Sequence, residues 1–181
     1  QDIQLLNFQQ FCELFKISDE HQQLSSVTKT SVVGNVLVFV DGSINDTLPD
    51  KDYDFVIAMN LTRIMDVNSS ILPHPITAWF SPKLSHIGQN VFKTASIRNF
   101  FANQLLFIGK SAFEASTQVK QLVLLKLSHI GQHAFAGSEI DSMFCPNLQK
   151  IEANAFQNTQ IKHIYSEKLQ IVGQSAFSNC L

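Results

Sequence analysis

Five phenylalanines set the strongest constraint on what this chain can fold into. Phe92, Phe113, Phe135, Phe156 and Phe177 follow one another at intervals of 21, 22, 21 and 21 residues. Four residues before each stands Gly88, Gly109, Gly131, Glu152 or Gly173, and one before that Ile87, Ile108, Ile130, Ile151 or Val172. Three residues earlier again come Leu84, Leu105, Leu127, Leu148 and Leu169. Val91, Ala112, Ala134, Ala155 and Ala176 directly precede the phenylalanines. The shared unit is L-x-x-I-G-x-x-A-F, and LSHIGQNVF (84–92) and LSHIGQHAF (127–135) are two nearly identical copies. A chain that repeats at a fixed period solves one packing problem layer after layer, which is the mark of a solenoid.

The second half of each unit repeats more loosely: ITAWFSPK (76–83), IRNFFANQ (97–104), VKQLVLLK (119–126), IDSMFCPN (140–147) and IKHIYSEK (161–168). These short pieces carry β-branched and aromatic residues and read as strands. The stretch 53–65 fits a degenerate copy through Val56, Ile57, Leu61 and Ile64. Each turn is then expected to place a strand of about five residues parallel to its copies, roughly 4.8 Å away. The Leu and Ile point inward, and the small Ala lets the Phe pack against the neighbouring turn. The Gly is expected at a tight corner with positive φ, and Glu152 at that place predicts a different corner.

Bulk properties exclude several classes. Of 181 residues 45% are hydrophobic and only 15% charged, with net charge −2. Disorder and general attraction to nucleic acid are both disfavoured. Apolar runs such as VLVFV (36–40) and LVLL (122–125) are too short to span a bilayer. Three cysteines, Cys12, Cys145 and Cys180, form no disulfide framework and read as buried free thiols. Sequons begin at Asn45, Asn60 and Asn68 and matter only in a secreted chain. The first residue is Gln rather than Met, which reads as a trimmed chain.

The pattern L-x-x-I-G-x-x-A-F followed by I-x-x-Φ-Φ-x-P (Φ, apolar) resembles the BspA-like leucine-rich repeats of bacterial surface proteins and protozoan parasites, over residues 53–181. The family's repeats are often a residue or two longer. The resemblance implies a leucine-rich-repeat solenoid. Short parallel β-strands stack into a right-handed, curved sheet, and the outer face is irregular or short-helical. It implies adhesion or protein binding, no catalytic residues and no cofactor. It also implies a cell-surface or secreted location. With no visible signal peptide and unpaired cysteines, a cytoplasmic or nuclear location is the alternative.

Residues 1–52 are expected to form an α+β cap ahead of the solenoid of 53–181, which holds five to six repeats of 21–22 residues. Leu5, Phe8, Phe11, Cys12 and Phe15 fall at helical spacing and predict one amphipathic helix over 3–16. SVVGNVLVFV (31–40) reads as one strand and DGS (41–43) as a turn. The cap is expected to cover the first open edge of the sheet. An independent partner-binding helix is the alternative.

Side chains alternate across a strand. With Trp79, Phe100, Leu122, Met143 and Ile164 inward, an outward column of Ile57, Phe80, Phe101, Val123, Phe144 and Tyr165 follows. Apolar columns of this kind mark protein-binding surfaces. The alternative is that bulged strands bury both members of each pair. His86 and His129 lie two turns apart, about 10 Å, too far to share a metal ligated at about 2 Å. His129 and His133 sit four apart, but at a corner. No nucleophile elbow, phosphate loop or paired-cysteine motif is present, so no enzyme is expected.

The stretch AFSNCL ends the sequence directly after a repeat's Ala176-Phe177. Val172, Phe177 and Cys180 are therefore expected at an open end that meets a second copy, or at a place where a longer protein was cut. The leading expectation is a non-enzymatic module with a protein partner. The rival is a structural protein that self-assembles through its sheet face or that open end.

Overall fold

The computed structural model of the chain describes residues 7–17, 24, 27–44 and 47–180. Each turn of the stack carries two strands. On one side run β2 (Val36–Val38), β4 (Phe55–Ile57), β6 (Ile76–Phe80), β8 (Ile97–Phe101), β10 (Gln121–Val123), β12 (Ser142–Phe144) and β14 (His163–Tyr165). On the other run two-residue strands, namely β3 (Ser43–Ile44), β5 (Arg63–Ile64), β7 (His86–Ile87), β9 (Phe107–Ile108), β11 (His129–Ile130), β13 (Lys150–Ile151) and β15 (Ile171–Val172). The two-residue strands form a single seven-stranded sheet in stacking order. The neighbours pair in parallel, Ile87 with Ile108 and Ile130 with Ile151. The repeat's Ile is buried in every turn up to Ile151, as is its Leu up to Leu148.

Between the two ladders the phenylalanines stack. Phe113 and Phe135 lie 5.2 Å apart at an interplanar angle of 5°. Phe135–Phe156 and Phe156–Phe177 are 5.3 Å apart and within 1° of parallel. Trp79 closes this column edge-on against Phe92 at 5.1 Å. Its indole N–H donates to Ser81 Oγ at 2.7 Å, which satisfies a fully buried donor.

The corner differs from expectation. The repeat glycines do not adopt positive φ. That role falls two residues later, to Asn90, Ser111, His133, Asn154 and Ser175, at φ between 54 and 61°. A second left-handed position lies two residues after each Phe, at Thr94, Ala115, Gly137, Asn158 and Asn179. The glycines answer a different demand, the close approach of successive turns. A Cβ on Gly109 would stand 2.7 Å from the carbonyl carbon of Gly88. Nor does Glu152 change the corner: its N–H donates to Ile130 O at 2.9 Å, as Gly131 donates to Ile108 and Gly173 to Ile151. Its carboxylate then accepts the Gln132 N–H at 3.1 Å.

The single 22-residue interval has a visible consequence. Its extra residue falls between Phe113 and Val119, where Gln118 turns left-handed at φ 68° and donates its N–H to the Glu139 carboxylate. There the longer ladder divides into a five-stranded sheet, β1-β2-β4-β6-β8 with β1 at Ser31–Val33, and a three-stranded one, β10-β12-β14. Along the edge of the stack, lysines alternate with amides. Lys83, Lys126 and Lys168 donate to Asn60, Gln104 and Asn147 at 3.1, 2.5 and 2.6 Å. The alternation keeps like charges from facing each other across about 4.8 Å.

The N-terminal segment also departs from its reading. The helix α1 spans Phe8–Phe15, with Asn7 and Gln10 forming a capping box and Lys16 a left-handed C-cap. The helix expected over 3–16 thus starts at Phe8, and residues 3–6 of that expectation lie outside the described residues. In place of one strand over 31–40 there is an antiparallel hairpin of β1 (Ser31–Val33) and β2, turned at Gly34 with φ 56°. This hairpin covers the first edge of the sheet, and β2 pairs with β4 in parallel. Stacking therefore begins at Val36, inside the segment assigned to the cap. The helix does not lie over that edge but on the outward face of the sheet.

Candidate protein-binding face

In β6, β8, β10 and β12 alternation places Trp79, Phe100, Leu122 and Met143 in the main core. The next residues point the other way. Ile57, Phe80 and Phe101 stand in register on adjacent strands, as do Val123, Phe144 and Tyr165. The strands are not bulged, yet in the first half both members of each pair are buried, in cores on opposite faces of the sheet. Ile57, Phe80 and Phe101 belong to a second core that also holds Phe11, Cys12, Val36, Val38, Phe55 and Ala78.

That second core corrects the expectation of a continuously exposed column. The helix α1 lies over its first half. Phe11 stacks on Phe80 with ring centres 4.6 Å apart and meets Phe101 edge-on at 5.7 Å. Phe15 reaches Phe55 at 5.5 Å and Phe101 at 6.1 Å, and Phe8 reaches Phe80 at 6.4 Å. Ile57, Phe80 and Phe101 are consequently buried. Cys12 sits among these rings, and burial pushes its thiol up to about 11.

In the second half of the column Phe144 and Tyr165 are exposed. Phe144 is 40% and Tyr165 47% exposed, and their rings stack at 4.8 Å within 7° of parallel. The Tyr165 hydroxyl donates to Glu167 at 2.6 Å, and this bond to a carboxylate raises the phenol pKa. Val123 is half-buried beside them, and Gln121, Ser142 and His163 form the polar outward column alongside.

The remaining candidates hold no reacting centre. Phe107 stands between His86 and His129, with ring centres 6.2 and 5.0 Å away. His86 lies 2.8 Å from Ser85 Oγ; burial, then the Arg63 charge, lowers its pKa. His129 and Lys150 both reach Glu152 Oε1, at 3.0 and 2.8 Å. Among the described residues no three His, Cys, Asp or Glu side chains gather to hold a metal. Cys145 is buried, its thiol pushed up to about 12. Val172 and Phe177 are 52% and 40% exposed in the last turn, while the Cys180 thiol sits 3.1 Å from the Phe156 carbonyl oxygen. The sequence reading missed Phe11 and Phe15 as the cover of the face. Their helical spacing was visible, but not the surface they would meet.

Two-stranded turns stacked in parallel around an aromatic column define a leucine-rich-repeat solenoid, a scaffold class whose surface is its working part. Residues 76–181 match the BspA type leucine rich repeat region in six copies. This is more than half of the chain, and the protein belongs to that family. No curated protein and no solved structure matches it. The family suggests protein interaction or adhesion and is typically non-enzymatic. No helix among the described residues is long and apolar enough to cross a membrane.

Proposed function

We propose that the protein is a non-enzymatic binding module that engages a protein partner, in adhesion, through its sheet face at the exposed Phe144 and Tyr165, with Val123 beside them. One observation carries this reading: two large aromatic rings are stacked face to face and exposed on adjacent strands of the ladder. Aromatic side chains held in this way serve as anchors at interfaces because they bury much area while losing little rotamer freedom. The test is retention of surface proteins from the native cell on immobilised wild-type chain and on a Phe144→Ser/Tyr165→Ser variant. A partner held by the wild type and lost by the variant supports the reading; retention by both would refute it.

Self-association is a second reading, favoured by the exposed Val172 and Phe177 with Cys180 beside them. Sedimentation over a concentration series, with Val172→Lys/Phe177→Glu as control, separates the two. A wild-type chain that stays monomeric at every concentration rules self-association out.

A further inference from the structure

We propose that α1 is an exchangeable cover: it lifts off the sheet as a unit while the solenoid stays folded, and the face it leaves takes an amphipathic helix of a partner protein in its place. The inference rests on reading the sheet face as a partner-binding surface and adds a second, guarded site to it.

The helix is closed in itself and held from below. Its eight residues are fewer than the roughly 12–15 that an isolated helix needs in water, so it is helical because it is docked. Asn7 and Gln10 each accept the other's backbone N–H at 2.9 Å, and the Lys16 and Ile17 N–H groups return to the Glu13 and Cys12 carbonyls. Rings make the contact with the sheet. Phe8 and Phe11 meet Phe80, and Phe15 meets Phe55 and Phe101. Apolar burial is not directional, so a different helix with the same stripe can fill the same face.

The sheet beneath does not need the helix to hold its shape. Strands β4, β6 and β8 pair in parallel, Ile57 with Phe80 and Phe80 with Phe101. Their inward residues Val56, Trp79 and Phe100 belong to the main core, to which α1 contributes no residue. Phe11 and Cys12 lie in the second core alone. Lifting α1 therefore opens one face of the sheet and leaves the ring stack of the solenoid closed. A partner must compete with α1, so its apparent affinity falls by the fraction of chains that are open. The cover thus screens out weak binders.

The face also specifies its occupant. The stripe of α1 places Phe8, Phe11, Cys12 and Phe15 at i, i+3, i+4 and i+7. Ala78 stands in register between Phe55 and Asn99, a low place among the larger side chains of the face. The small Cys12 is fully buried in the same core as Ala78. The partner helix is therefore aromatic at i, i+3 and i+7 and small at i+4.

Two native thiols report on the two cores. Cys12 lies under the cover and Cys145 in the main core, both fully buried, with burial pushing their thiols up to about 11 and about 12. Alkylation of the full chain by iodoacetamide, mapped by mass spectrometry, should modify Cys12 about a hundredfold faster than Cys145. The probe for exchange is a peptide of residues 7–17 carrying Cys12→Ala. In excess it should speed Cys12 modification and leave Cys145 protected. It should bind the Phe11→Ser/Phe15→Ser chain about tenfold more tightly than the wild type, whose own helix competes. Modification of Cys12 and Cys145 at one rate would make α1 part of the global core and overturn the cover. Loss of Cys145 protection in Phe11→Ser/Phe15→Ser would do the same. Early Cys12 modification with no gain in peptide binding would overturn the exchange. Wild-type dimers dissolved by Phe11→Ser/Phe15→Ser would make the occupant a second copy's helix, against the proposal. None of these failures touches the reading of Phe144 and Tyr165, which falls only if partner retention survives Phe144→Ser/Tyr165→Ser.

Discussion

The two halves of the outward column share a register and differ in what lies above them. Phe80 and Phe101 are buried to within a few per cent, whereas Phe144 and Tyr165, at the same position of later turns, are nearly half exposed. Nothing in the repeat itself separates them. Over the first turns lie α1, Ile17 and Leu24, which share a core with Phe80 and Phe101, and the ladder divides between β8 and β10. Apolar outward residues in a solenoid are thus not all one surface. Some bind the chain's own helix, and the remainder face outward.

Several experiments would break or sharpen this contrast. The largest effect is expected where the halves do not differ, in the shared core. Phe156→Ala, at a fully buried site of the ring stack, should cost about 3–5 kcal/mol. Urea unfolding at an unchanged midpoint would disprove the layer rule. Phe101→Ser should come next, at about 3 kcal/mol, and Phe144→Ser at the equivalent position should change stability by only about 0.5 kcal/mol. Equal midpoints for these two variants would abolish the distinction between the halves. Phe11→Ala should cost about 2–3 kcal/mol but act locally. Hydrogen exchange should rise in α1 and over β4–β8 and stay unchanged over β12–β14; a uniform rise would show that the helix is part of the global core.

The smallest effect concerns pH. The Lys150 hydrogen bond, assisted by His129 and opposed by partial burial, lowers the Glu152 pKa. A carboxyl whose folded pKa is depressed stabilises the fold above its ordinary value, and that contribution is lost as pH falls through the folded value. Solvent screens this site, so Glu152→Gln should cost about 0.5 kcal/mol at neutral pH. The difference between variant and wild type should shrink as pH falls below the ordinary carboxylate value of 4.5 and vanish only below the depressed folded value. A difference that persisted there would assign the effect to shape and not to charge.

The repeat by itself determined the period, the inward Leu, Ile and Phe, the parallel stack and the outward pointing of the Φ-Φ partner. These are local consequences of one motif that must satisfy identical neighbours above and below. Even the break was legible in principle, because the one 22-residue interval marks where Gln118 turns out of the ladder. The asparagines and serines two residues after the glycines carried the left-handed corner more truthfully than the glycines did. Only the tertiary structure decided which outward rings are covered. Phe11 and Phe101 lie ninety residues apart in sequence, and no periodicity connects them. An amphipathic helix announces that it has an apolar face to bury, but which surface buries it depends on shape and reach in the folded chain.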